Sequence, residues 1–180
     1  MSALPDAGPD IRSLLLEAGA VRFGKFVLTS GQESDVYVDI KQVWTRPERL
    51  RVLAGRLGRW VEDEALLAGM ELGAVPLVVA VALETNRPYV VVRKPGRAHG
   101  TGRRYEGDVP RGAKTLVIED VTTTGGSLVD TVEVLREAGA EVDRALTVVD
   151  REQGGRERLR TIGVELESLA TLSQLRGPRS

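Results

Sequence analysis

A chain of 180 residues has room for one fully built core and not for two. With 42% hydrophobic and 28% charged residues it can bury a real core, which excludes the disordered and fibrous classes. Its 25 Lys and Arg nearly balance 26 Asp and Glu, which excludes a generally basic nucleic-acid binder while leaving room for a local basic patch. The uncharged apolar stretch Ala74 to Leu83 contains a Pro and falls well short of the roughly 20 residues a membrane helix needs. The first residues lack the basic start and apolar run of a secretory signal. There is no Cys, so neither a disulfide framework nor a Cys-based metal site is expected, and the expected setting is cytoplasmic.

Residues 1–10, rich in Pro, Gly and Asp, read as a lead-in. Ile11, Leu14, Leu15 and Ala18 recur at helical spacing behind Asp10 as a cap, and Gly19 closes that helix. The period then changes. Phe26-Val27-Leu28 is a short strand, Ser30-Gly31-Gln32 a turn, and Val36-Tyr37-Val38 between Asp35 and Asp39 a second strand, together a small hairpin or hood. Pro47 opens a helix with an apolar stripe of Leu50, Leu53, Ala54, Leu57 and Val61, expected to end near Glu64. Strand and helix alternate from there: a strand over 65–69, a helix over 74–84 and a strand over 88–92, then a polar gap over 93–110. The alternation resumes with a strand over 115–118, a helix over 127–138 closed by Gly139, and a strand over 145–149. The tail offers a strand over 164–166 and a helix over 169–175. β-Branched runs alternating with amphipathic helices predict an α/β fold, an open and mostly parallel sheet with helices on both faces. We expect residues 1–45 to form the N-terminal helix and hood and residues 46–180 the core, in one compact domain overall.

The sharpest feature runs from Thr115 to Ser127: a buried strand, the acidic pair Glu119-Asp120, then Val121-Thr122-Thr123-Thr124-Gly125-Gly126 leading into Ser127 and a helix. Ligands of open α/β sheets bind beyond the carboxyl ends of the strands, and a loop that opens a helix presents free amides to an anion. Hydroxyls add donors and glycines allow close backbone approach. Carboxylates are wrong for a phosphate but right for paired ribose hydroxyls or a hydrated metal ion, so the combination suggests a ribose phosphate. A solvated βα turn with a capping Thr and incidental acids has the same composition. A Walker A loop and a dinucleotide fingerprint are both absent.

The polar gap carries Arg93, Lys94, Arg97, Arg103 and Arg104, the one His (His99) and no acid between 93 and 104. A glycine-rich basic segment of this length suits a lid that closes over an anionic ligand and stabilises charge on a leaving group. An ordinary solvated loop, or one touching RNA, is the plainer alternative. Gly69 to Pro76 is a glycine-bounded loop that offers amides to a second phosphate, a weak motif that a simple turn explains nearly as well. Arg151, after the strand ending at Val149, has a fork suited to a planar carboxylate, with a surface ion pair as the alternative.

Taken together, the strand, acidic pair and Thr-Gly loop resemble the phosphoribosyl diphosphate (PRPP) signature of type I phosphoribosyltransferases. Phe23 to Asp39 resembles the hood of the orotate phosphoribosyltransferases, Arg93-Lys94 with His99-Gly100 resembles their catalytic loop, and Asp150-Arg151-Glu152 is similar to their orotate-side motif. The resemblance implies transfer of the 5-phosphoribosyl group of PRPP to orotate, giving orotidine 5'-phosphate and diphosphate in de novo pyrimidine (UMP) biosynthesis. It implies Mg2+ carried by PRPP, with no direct protein ligand to the metal. It also implies a homodimer whose basic loop acts across the interface, and no nucleic-acid or membrane partner. Carried over by residue, Glu119 and Asp120 hold the ribose hydroxyls. Val121, Thr122, Thr123, Thr124, Gly125, Gly126 and Ser127 hold the 5'-phosphate, and Thr123 and Arg151 contact orotate. Arg93, Lys94, Arg97 and His99 engage the diphosphate, with Arg97, His99 and Asp120 as the catalytic set. The sequence departs from the family pattern at Arg97, where the family has a catalytic Lys, and at Gly73 and Thr29, where some members have Lys. Transfer to another base, and a PRPP-sensing regulator without turnover, are the alternatives.

Overall fold

The computed structural model describes residues 10–27, 33–95 and 103–177. Helix α1 (Ile11–Glu17) is capped by Asp10, whose carboxylate accepts from the Ser13 amide at 3.3 Å. Strands β1 (Val21–Val27) and β2 (Glu33–Val38) pair antiparallel, Val21 opposite Val38 and Val27 opposite Glu33. The hairpin is as expected, but its first strand begins at Val21 rather than Phe26; Leu28 and the expected turn at Ser30-Gly31-Gln32 lie outside the described residues. Charged residues hide the earlier start. Arg22 belongs to the strand because its guanidinium lies 6.0 Å from the Phe26 ring centroid and 5.1 Å from that of Tyr37.

A short helix, α2 (Lys41–Trp44), follows and is too brief to leave a periodic signal. Helix α3 (Pro47–Gly58) starts on Pro47 as expected but stops at Gly58, well before Glu64. Glu64 has another role there. It is buried, 3% exposed, and accepts from Arg144 Nη1 at 2.5 Å and from the Glu62 amide at 2.7 Å, while Arg144 Nη2 reaches the Trp60 carbonyl at 3.1 Å. Removing one partner of a buried pair strands the other's charge. We therefore expect Glu64→Ala to destabilise the fold by about 3 kcal/mol, measured by urea denaturation; a loss below about 1 kcal/mol would show the pair to behave like a surface one.

The remaining elements are β3 (Leu66–Met70), α4 (Val75–Thr85), β4 (Tyr89–Val92), β5 (Tyr105–Glu106), β6 (Lys114–Thr122), α5 (Gly126–Glu137), β7 (Glu141–Asp150), α6 (Gly155–Arg160), β8 (Glu165–Thr171) and α7 (Leu172–Arg176). They build a six-stranded sheet in the order β5-β4-β3-β6-β7-β8, parallel except for the β4–β5 pair. Side-chain alternation sends Leu67, Leu116, Ile118 and Leu146 to one face, where they pack with Leu15, Val36, Leu57 and Leu77. Ala68, Val117, Ala145 and Leu166 go to the other, against Leu128, Val132, Leu135 and Leu159. The α/β reading holds, with helices on both faces.

Three local expectations are corrected. The polar gap contains β5, whose two residues pair with β4. The chain after Asp150 forms α6, whose Arg-rich sequence buries little besides Leu159 and Gly155. Leu169 belongs to a strand and not to the tail helix, because Ala170 and Thr171 stay paired with Val149 and Asp150. Thr171 then starts α7 with a reciprocal capping box to Gln174.

The strand order sets the location of the site. From β3 the chain crosses by α4 to β4 on one side, whereas β6 lies on the other side of β3. The connections on the two sides diverge there, which opens a crevice beyond the carboxyl ends of β3 and β6.

Candidate active site

Strand β6 runs past the apolar segment to Thr122, so Glu119 and Asp120 are strand residues at the crevice rather than part of a loop. The acids are held by the backbone: the Asp120 amide donates to Glu119 Oε1 at 3.1 Å, and the Val121 amide to Asp120 Oδ1 at 2.8 Å. Glu119 is 8% exposed. Burial first, and the negative charge of Asp120 second, push its carboxyl up to about 8, so Glu119 is largely protonated at neutral pH. Asp120 is half-buried and fills space that a side chain at position 73 would need: a Cβ on Gly73 would lie 2.5 Å from Asp120 Oδ2. The departure from Lys at this position thus has a local physical consequence. Glycine leaves the acid in place.

Lys41, Met70, Glu71, Leu72, Gly73, Lys94, Glu119, Asp120, Val121 and Ser127 line one cleft of about 280 Å3. A smaller recess adjoins it, lined by Glu119, Val121, Thr122, Thr123, Gly125, Gly126, Ser127 and Leu128. This recess is the mouth of α5. Gly125 precedes the helix in a left-handed conformation, φ 74°, and the first-turn amides have no partner within the helix. Such an end attracts an anion. Thr122 Oγ1 is buried without a hydrogen-bond partner among the described residues. Thr124 is exposed and does not line the recess.

The loop rests on a second glycine. A Cβ on Gly155 would come within 2.6 Å of Thr122 Cγ2 and 2.8 Å of the Thr123 carbonyl oxygen, so the start of α6 packs directly under the loop. We expect Gly155→Ala to cost about 1–3 kcal/mol in stability by overpacking and to weaken phosphate binding at the same loop. Urea denaturation and a phosphate titration check this, and an unchanged phosphate affinity would uncouple α6 from the recess.

Arg151 stands at the far side of the loop. Its amide donates to the Thr122 carbonyl at 2.9 Å, its Nη2 donates to Ser34 Oγ of the hairpin at 3.4 Å, and its Nε is buried without a partner among the described residues. The adjoining Asp150 is 2% exposed and accepts from the Glu152 amide at 2.8 Å. Arg176 Nη2 donates to both carboxylate oxygens of Asp35, at 2.6 and 2.7 Å, which ties the hairpin to the last helix.

Lys94 lines the cleft, and its amide donates to Glu71 Oε1 at 3.0 Å. Arg93 instead pairs with Glu106 at 3.2 Å and is not among the cleft-lining residues. Arg97 and His99 lie outside the described residues. Two cleft residues escaped the sequence reading, Lys41 and Glu71. Lys41 pairs with Asp39 at 3.0 Å, and that hydrogen bond raises its pKa above the ordinary value. Glu71 had a legible signal, since it directly follows the buried strand β3.

A phosphoribosyl transferase domain model matches residues 42–167. The chain is 50% identical to the orotate phosphoribosyltransferase of Natronomonas pharaonis, over 96% of this chain and 99% of that one. It is 46% identical to the orotate phosphoribosyltransferase of Pyrococcus furiosus, over 90% and 91%. Among solved structures, that of orotate phosphoribosyltransferase from Aeropyrum pernix matches with a TM-score of 0.81 and 36% identity, covering 92% of this chain and 95% of that one. The Mycobacterium tuberculosis orotate phosphoribosyltransferase in complex with PRPP matches at 0.76 and 28%, covering 93% and 99%.

Proposed function

The chain belongs to the orotate phosphoribosyltransferase family, and from that premise we propose how its residues divide the work of moving a 5-phosphoribosyl group from PRPP to orotate. In this reaction the bond from the anomeric carbon to the diphosphate oxygen breaks, the diphosphate leaves with the electron pair, and a ring nitrogen of orotate bonds to that carbon. The carrying observation is the union, in one crevice, of an acidic pair, an amide-rich helix mouth and Lys94.

In this reading the mouth of α5, with Val121, Thr122, Thr123, Gly125, Gly126 and Ser127, receives the 5'-phosphate, and Thr124, exposed outside the recess, takes no part. Glu119 and Asp120 accept from the two ribose hydroxyls, which fixes the sugar as positive charge grows on its ring. Thr123 and Arg151 face orotate, where the Arg fork suits the carboxylate. Negative charge that appears on the departing diphosphate only in the transition state is what preorganised cations stabilise. Lys94 suits that task, as do Arg97 and His99 by family resemblance, whereas Arg93 is engaged with Glu106. Arg97 carries charge but does not release a proton, so any general-acid duty falls to His99.

Mg2+ is part of the proposal. Among the described residues no three His, Asp or Glu side chains converge as a metal site. Mg2+ commonly keeps its waters and binds one or two carboxylates together with substrate phosphates. In this reading Mg2+ arrives on PRPP without a direct protein ligand and would neutralise the diphosphate, while Glu119 and Asp120 remain with the ribose hydroxyls. No helix among the described residues is long and apolar enough to cross a membrane. We assign the protein to the cytoplasm, consistent with its lack of Cys, and to a homodimer with the basic segment crossing between subunits. Sedimentation at a single-chain mass with PRPP present would remove the dimer.

The deciding experiment mixes the protein with orotate, PRPP and Mg2+ and follows orotate absorbance. Loss of absorbance that requires PRPP is expected. Turnover of a different base with orotate left intact would overturn the assignment of substrate.

A further inference from the structure

The described part of the basic segment contains a residue that the proposed reaction does not use. Arg104 lies across from Arg93 on the β4–β5 side of the sheet, and the Arg93 amide donates to the Arg104 carbonyl at 2.8 Å. Its guanidinium grips two things. Nη1 and Nη2 donate to the two carboxylate oxygens of Asp130 at 2.8 and 2.7 Å, and Nη2 also donates to the Arg93 carbonyl at 3.1 Å. Asp130 belongs to α5, the helix whose mouth forms the anion recess. The Arg93 carbonyl belongs to the peptide that leads into Lys94, and the amide of that same peptide is fastened to Glu71 at 3.0 Å.

We propose that Arg104 is a positioning residue for Lys94, a strut from Asp130 that fixes the Arg93–Lys94 peptide and so aims the Lys94 ammonium into the cleft. Both faces of this peptide are held, its carbonyl by Arg104 and its amide by Glu71. Lys94 therefore stands on backbone that is registered against α5 on one side and against the end of β3 on the other. The arrangement needs a fork. A guanidinium offers parallel donors to a carboxylate and still has a hydrogen for a third acceptor, whereas an ammonium is a single point of charge. The Arg104 and Asp130 side chains are 31% and 27% exposed, so the attraction between them is partly screened and contributes little stability. What the contact supplies is geometry, and small misplacements of a group that meets the reacting charge are costly in rate.

The inference rests on the proposed reaction in one respect, that Lys94 meets the anionic part of PRPP. The test is a double-mutant cycle between Arg104→Ala and Lys94→Ala, read by PRPP calorimetry and by KM for each substrate. Arg104→Ala should weaken PRPP about tenfold when Lys94 is present and less than about twofold in the Lys94→Ala background, with KM for orotate unchanged. An equal loss in both backgrounds, no loss in either, or matched changes in both KM values would overturn it. Should Arg104→Ala not fold, Arg104→Lys and Asp130→Asn enter the same cycle with the same expectation. Calorimetry needs no turnover, so the strut is read even if orotate is not the base. A wild-type protein that binds PRPP and ignores orotate would sink the substrate reading alone.

Discussion

Replacing Asp120 with Asn should lower kcat/KM for PRPP by about 100-fold, while the melting temperature moves by only a few degrees. The asymmetry follows from what the side chain touches. One oxygen accepts from the Val121 amide at 2.8 Å, a bond that an Asn carbonyl can keep, so the strand end survives. The lost charge is the one proposed to hold the ribose hydroxyls as the ring becomes cationic, an interaction that strengthens toward the transition state. A second variant reaches the other oxygen from another element. A Cβ at position 73 would lie 2.5 Å from Asp120 Oδ2, so Gly73→Ala has to turn the carboxylate aside and should lose activity without touching substrate itself, by less than Asp120→Asn because the charge is kept. Thr124→Ala is the control: Thr124 is exposed and outside the recess lining, and it should stay within about threefold of the parent. Steady-state kinetics of the three variants checks the set. Asp120→Asn retaining near-parental turnover would remove the acid from the mechanism.

The parts legible in the sequence were those where burial and chemistry coincide. The run before Glu119 is apolar because both faces of the sheet are covered there, and Gly125 and Gly126 mark a helix mouth by composition alone. What stayed hidden were places where tertiary pairing overrides local pattern. Glu119 to Thr122 looks like loop, yet Val121 and Thr122 remain paired with Val149 and Asp150, and that pairing carries the acids into the crevice as strand residues. Arg22 breaks an apolar alternation but is absorbed by the rings of Phe26 and Tyr37. Lys41 reaches the cleft from a four-residue helix without any motif of its own. The near-zero net charge carries little of this, because it averages over segregated surfaces. Residues 93 to 104 hold five basic groups and no acid, and two of these, Arg93 and Arg104, pair with Glu106 and Asp130 rather than facing the cleft. Lys94 then faces the Glu119-Asp120 pair across one cleft.

The buried acid makes the protein sensitive to alkaline pH in a defined direction. Glu119 titrates near 8 in the folded chain against an ordinary 4.5, raised by burial and then by Asp120. Between those values the folded state holds a proton that the unfolded state has released, so stability is full below about 4.5 and declines as pH rises toward 8, levelling off above it. The contribution at stake is on the order of a few kcal/mol. Glu119→Gln cannot ionise, so its stability relative to the parent should rise across this window, and all other titrating groups cancel in the difference. Urea denaturation of both proteins at pH 5.5 and 8.5, two conditions chosen to bracket most of the change, measures it; parallel pH dependence would show that Glu119 ionises freely when folded. The same titration reaches ligand binding with the opposite sign. Ribose hydroxyls donate more strongly to a carboxylate than to a carboxylic acid, so a sugar bound at Glu119 favours the ionised form. Affinity for PRPP should therefore increase from neutral pH toward 8 in the parent and lack that increase in Glu119→Gln, once the common titration of PRPP itself is subtracted. Stability lost on ionisation in the free cleft is thereby offset when the sugar arrives, a coupling that a solvated acid at the end of β6 would not produce.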